Sequence, residues 1–234
     1  MNAEAPPVVE EVGPSYSSDP VPRTHTPKKV IGEDGYGLYR PCLRLDFEFR
    51  CAYCLAHESE VGPSSDYGGF EVEHFKPKGR REFRRFSNVY SNLLWACHAC
   101  NRAKSSKWPS EEEHARGMRF VDPSAEALGH FIVCDGVRVA PVAEAPAEHQ
   151  AAGEYMIDEI NLNSGAHRRR RQLRRDVATK LATLDAMLQV FREELPTPAV
   201  LISIDEAERE ILALREMLGA GDPWDRPERC RCPE

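Results

Sequence analysis

A chain of 234 residues with 41% hydrophobic and 29% charged side chains, a mean hydropathy of -0.54 and a formal net charge of -7 suffices for one ordinary domain with an appendage, or two small ones. No stretch approaches the roughly 18 consecutive apolar residues of a membrane span, and Met1 to Pro7 lacks the basic start and apolar core of a secretory signal. A soluble, cytoplasmic protein without a membrane partner is expected, and in that compartment the eight cysteines point to metal ligation rather than disulfides.

Residues 1–28 are rich in Pro, Ser, Glu and Val without periodicity, and are expected to form a disordered or loosely docked arm. Residues 29–109 are dense in Cys, His, aromatic and basic residues and form the candidate functional module. In 110–152, Arg119 to Asp122 and His130 to Val139 have strand character, and Asp135-Gly136 between apolar runs signals a hairpin. A connection from Glu144 to Ala152 leads into a helical region, 153–220. There Asn163-Ser164 marks a helix start, and Leu173, Val177, Leu181, Leu184, Leu188 and Phe191 recur at intervals of three and four. A second helix is expected from about Ile204 or Asp205 to Leu218, ended by Gly219 and Gly221, before a flexible tail, 221–234. The fold class is α+β.

Cys51-Ala52-Tyr53-Cys54 and Cys97-His98-Ala99-Cys100 are two Cys-x-x-Cys knuckles. Four thiolates from two such knuckles make a closed tetrahedral zinc site of the structural kind. The 42 residues between Cys54 and Cys97 exceed the spacing of a compact zinc ribbon, so an insert is carried between them. Within it stands Glu71-Val72-Glu73-His74-Phe75-Lys76-Pro77-Lys78, with Asn92-Leu93 ahead of the second knuckle and Asn101-Arg102-Ala103-Lys104 at its end. In order and spacing, Cys51 to Lys107 resembles the HNH endonucleases. The resemblance implies a ββα-metal module in which His74 ends the first strand and Asn101 opens a helix. It implies His74 as general base, Asn92 as the residue orienting it, and Glu73 and Asn101 as oxygen ligands of a catalytic Mg2+ or Mn2+ distinct from the zinc. That is an H-N-N variant, with Glu73 where the family often has Asp. The chemistry is suited to these types: hydrolysis of a phosphodiester needs a base for water and a hard cation for the developing charge.

The net acidity is unevenly spread. From Lys76 to Lys107 stand Lys76, Lys78, Arg80, Arg81, Arg84, Arg85, Arg102, Lys104 and Lys107 against one acid, Glu82, so the local field favours nucleic-acid phosphates, DNA or RNA. Phe120-Val121-Asp122-Pro123, His130-Phe131, Asp135-Gly136 and Ile160-Asn161-Leu162-Asn163 followed by Arg168 resemble a subgroup of HNH proteins found beside ATPases in bacterial anti-phage systems of the Septu and retron-associated kind, which implies an ATPase partner. Six arginines, Arg168 to Arg171 with Arg174 and Arg175, crowd a helix start, where the dipole disfavours cations. They read as a solvated face or as contacts to an acidic surface. Cys134 with Cys230 and Cys232 would be a second metal site, or Cys230 and Cys232 simply a tail. The rival to the nuclease is a zinc-dependent nucleic-acid-binding module without catalysis.

Overall fold

The computed structural model describes residues 15–27, 35–61, 69–193, 198–217 and 232. Its elements are α1 (Arg40–Asp46), α2 (Glu58–Val61), β1 (Phe70–His74), β2 (Leu93–Cys97), α3 (His98–Lys104), α4 (Glu111–Ala115), β3 (Ile132–Asp135), β4 (Arg138–Pro141), α5 (Ala147–Glu159), α6 (Gly165–Glu193) and α7 (Pro198–Met217). The α+β class is what these mixed helices and two small antiparallel sheets form.

β1 and β2 pair from Phe70 opposite Cys97 to His74 opposite Leu93. Side chains alternate along a strand, so Phe70, Val72 and His74 share one face and Glu71 and Glu73 the other. All five β2 residues are buried, since both faces of the hairpin are covered. On the apolar face Phe70 stacks on Trp95 at 5.7 Å. Trp95 in turn donates from Nε1 to Glu58 at 2.7 Å, and Glu58 receives Arg44 at 2.9 and 2.8 Å in a two-pronged pair. On the polar face lies α3, which follows β2 directly and runs back along β1. α3 starts at His98, so Asn101, expected to open this helix, lies in its interior.

Residues 15–27, expected as an arm, lie along the module. Tyr16 donates to the Tyr53 carbonyl at 3.0 Å, the Val21 amide to Pro123 O at 2.7 Å, and Arg23 to Leu93 O. Asp46 accepts from Thr24 Oγ1 at 3.0 Å, His25 Nδ1 at 2.6 Å and Tyr90 at 2.7 Å. Burial alone would raise this carboxyl; the bonds from His25, Tyr90 and Thr24 hold it below its usual range. Residues 1–14 and 28 lie outside the described residues.

The second hairpin forms where expected, with Gly136 (φ 60°) first of its two loop residues, between Asp135 and Arg138. Arg119 to Asp122 is irregular instead of a strand, because Asp122 closes a turn on Ser124 N at 2.9 Å and Oγ at 2.7 Å just after Pro123. α5 passes so close to the chain at Phe131 that a Cβ on Gly153 would meet the Phe131 carbonyl at 2.4 Å. Ser164 caps α6, accepting from the His167 amide at 3.3 Å. α7 begins at Pro198, earlier than the apolar spacing suggests; proline suits a first helical turn. Most of the tail, including Cys230, lies outside the described residues.

Arg44→Met should destabilise the fold by about 3–5 kcal/mol, because Glu58 would keep its charge in the interior with Trp95 as its remaining partner. Adding Glu58→Gln, which preserves an acceptor for Trp95, should recover most of the loss in urea unfolding followed by tryptophan fluorescence.

Candidate active site and metal centre

Both knuckles are built by local backbone structure. In the first, the Cys51 amide donates to Ala56 O at 2.8 Å and Leu55, at φ 58°, returns its amide to Cys51 O at 3.0 Å. In the second, Cys97 ends β2 and caps α3, which places Cys100 on the first turn. The register of β1 with β2, and a bond from the Ala52 amide to Trp95 O at 2.8 Å, bring the knuckles together. The four sulfurs lie within 4.8 Å of one another and all four residues are buried. Hydrogen bonding from Cys100 and then Cys51 brings the Cys97 thiol down to about 6, and the same neighbours push Cys54 well below the usual thiol range. Burial raises the Cys51 thiol and the neighbouring thiols raise Cys100; four sulfurs this close can hold a zinc ion, and their sulfur-only set suits a soft or borderline cation.

His167, at the start of α6, places Nε2 3.5 Å from Cys100 Sγ, while its Nδ1 donates to Asn161 O at 3.0 Å. Burial disfavours its charge, but the Cys54 and Cys97 thiolates outweigh burial and raise it to about 10.

On the polar face of β1, two contacts run side by side. Asn101 donates to Glu71, which also binds His98, while Lys104 Nζ meets Glu73 at 2.6 Å and the His74 carbonyl at 3.0 Å. His98, Asn101 and Lys104 are one helical stripe, and Glu71 and Glu73 one strand face. The Glu73–Lys104 pair is fully interior; burial raises the Glu73 carboxyl and lowers the Lys104 ammonium, each opposed by the other's charge. Glu73 and Asn101 therefore share a face but have different partners. Among the described residues the four cysteines are the only group of three or more His, Cys, Asp or Glu side chains positioned to hold a metal ion.

His74 projects from the opposite face, beside the Tyr36 ring at 4.7 Å, with Nε2 3.0 Å from the Ser87 carbonyl. A carbonyl only accepts, so Nε2 carries the proton and Nδ1 the lone pair. Burial lowers its pKa to about 4, against the bond to Ser87, so the ring is neutral at pH 7. Asn92 does not reach the ring in this arrangement. Its Oδ1 accepts from the Lys76 amide at 2.9 Å and its Nδ2 donates to Lys76 O at 3.2 Å and Phe86 O at 3.3 Å. Asn92 thus closes the loop after β1, and the loop's Ser87 carbonyl orients the imidazole.

Of the basic cluster, Lys78, Arg81, Arg84, Arg85, Arg102 and Lys107 are exposed. Lys78 binds the Tyr36 hydroxyl at 2.6 Å, Arg80 the carbonyls of Ser106 and Trp108, Lys107 the Glu159 carboxylate at 3.0 Å, and Lys76 lies over the Phe86 ring. Lys104, expected at a phosphate, is instead an interior counter-ion, because the α3 stripe aims it at Glu73. Cys134 donates to Gly136 O at 3.4 Å. Sequence reasoning passed over Glu71, Ser87 and His167; strand alternation signals the first, while the other two depend on tertiary placement. No protein-family model matches this chain, and neither does any curated protein.

Two measurements follow from this geometry. Because the folded His74 pKa lies below the ordinary 6.5, its contribution to stability is complete above pH 6.5 and is lost as pH falls through about 4. The stability difference between wild type and His74→Gln, taken from urea unfolding at several pH values, should therefore shrink over that window. Asn92→Ala should cost about 1–3 kcal/mol by leaving backbone groups of the loop unpaired, with faster amide exchange at Lys76.

Proposed function

We propose that the chain is a metal-dependent endonuclease of HNH type that hydrolyses nucleic-acid phosphodiester bonds with His74 as general base. The observation that carries this reading is the state of His74: neutral at pH 7, held by the Ser87 carbonyl in the tautomer that leaves Nδ1 able to take a proton from water. The exposed arginines Arg81, Arg84 and Arg85 on the loop that orients it supply phosphate contacts independent of base identity. A catalytic Mg2+ or Mn2+ would take oxygen ligands from Asn101 and from Glu73 or Glu71, and would neutralise charge developing on the phosphate. For Glu73 to serve, Lys104 must give way. Zinc at the four cysteines is the scaffold in this reading. The role as effector of a bacterial anti-phage system with an ATPase partner rests on the short C-terminal motifs, which are structural within this chain: Asn163, for instance, bonds both the amide and the carbonyl of Val139 at 2.8 Å.

Two observations favour a second reading, a nucleic-acid-binding module without catalysis: His74 is 6% exposed and Glu73 3%, and Glu73 and Asn101 lie on the face of β1 opposite His74. The two readings separate in one experiment. Purified protein incubated with plasmid DNA and with tRNA, with and without Mg2+ or Mn2+, should cleave only with the cation, and His74→Ala should lower the rate by about 10²–10⁴-fold. Equal rates in wild type and His74→Ala would overturn the assignment of the base. Salt-sensitive binding without cleavage would favour the second reading.

A further inference from the structure

The arginine run at the start of α6 sorts by helical position. Arg168, Arg169 and Arg175 are exposed, whereas His167, Arg171 and Arg174 are buried and Arg170 is partly so. The inward stripe of the first turns is thus basic, and the apolar periodicity takes over only at Val177; Leu173 is 56% exposed. Arg171 binds the carbonyls of Val137 and Leu162 at 2.8 and 2.7 Å, and Arg174 pairs with Glu60 at 2.7 Å. His167 and Arg170 differ from these. His167 turns Nε2 to Cys100 Sγ, and Arg170 has a buried Nη1 with no hydrogen-bond partner. Burial disfavours the Arg170 charge, and Cys54 and Cys97, then Glu60, offset that cost.

Four thiolates around a divalent ion form a dianionic centre, and the first turn of α6 carries the positive end of the helix dipole. Cations crowded at a helix start are unfavourable in isolation and become favourable where the helix end abuts an anion. That accounts for the inward cations His167 and Arg170, whereas Arg168, Arg169 and Arg175 face outward.

We propose that the start of α6 is part of the zinc centre, with His167 donating to the Cys100 thiolate and Arg170 balancing the charge of Cys54 and Cys97, so that docking of this helix end depends on the metal. The consequence is mutual: the metal holds residues 165–172 in place, and those residues slow its release. Further along α6, Arg174 is held by the Glu60 carboxylate and not by a cysteine, so loosening on metal removal should be confined to the first turns. None of this depends on whether the chain cleaves nucleic acid.

The test uses the full chain loaded with zinc. Removing the metal with a chelator should raise hydrogen exchange in 165–172 along with that of the two knuckles, while 177–190 changes little. Release of zinc to a chromogenic chelator should be about 10–100-fold faster in His167→Ala than in wild type, the range found when a hydrogen bond to a metal ligand is lost. His167→Gln, which keeps a donor, should restore most of the retention, and the exposed Arg169→Ala should behave as wild type. Should His167→Ala fail to fold, Arg170→Leu carries the same comparison. The proposal is overturned if exchange in 165–172 is unchanged on metal removal, or if neither His167→Ala nor Arg170→Leu releases zinc faster than wild type.

Discussion

The four-cysteine cluster is the constraint on which the module depends. It joins segments separated by 42 residues in sequence, and β1, the loop after it and β2 are positioned by where that span is closed. Closing a long loop carries an entropic cost that grows only slowly with its length, so the insert can hold a strand, a turn-rich loop and the second strand without losing the closure. Because Cys97 is both the last residue of β2 and the cap of α3, the cluster also fixes the angle at which α3 returns along β1. The stripe of His98, Asn101 and Lys104 meets Glu71 and Glu73 for that reason.

Two ion pairs stand in this interior. Arg44 with Glu58 and Lys104 with Glu73 are buried opposite charges with additional hydrogen bonds, the arrangement in which such pairs are tolerated. Both pairs bind an element of the β1–β2 hairpin to a helix: Glu58 through Trp95 on one face, Glu73 through Lys104 on the other. The Trp95–Glu58 bond and the Glu73–Lys104 pair would both be lost if the hairpin slipped by one residue, since alternation would exchange the polar and apolar faces. Their contribution is therefore to register more than to stability.

Much of this was legible in the sequence. The knuckle spacing marked the cluster, Asp135-Gly136 the second hairpin, and Ser164 the start of α6. The site was less legible, and the reasons are physical. Adjacency of Glu73 and His74 in sequence suggests a shared site, but neighbours in a strand point apart, and the face of Glu73 also carries Glu71. Asn92 was assigned to the imidazole, yet the ring is held by a backbone carbonyl, and no side-chain pattern encodes that. Periodicity places Leu173 inward, whereas the inward positions there are taken by His167 beside the cluster and by Arg171 and Arg174, which bind carbonyls and Glu60. The docking of 15–27 left no mark either: its anchors are a cluster of bonds at Asp46 and scattered ones to Tyr53, Leu93 and Pro123, without any repeating pattern.

The bonds of Asn92 have a consequence for how such a protein can diverge. By tying Lys76 at one end of the loop to Phe86 near the other, one side chain makes a clasp, and the ring of His74 depends on the clasp and on Ser87 beside it rather than on the residues between. The stretch from Gly79 to Arg85 is thereby insulated: it can change its length or its charges without loosening the hold on the ring, whereas Lys78, whose charge helps lower the imidazole, cannot. Orientation of the ring and the charge pattern of the loop can then vary as separate traits on the same hairpin.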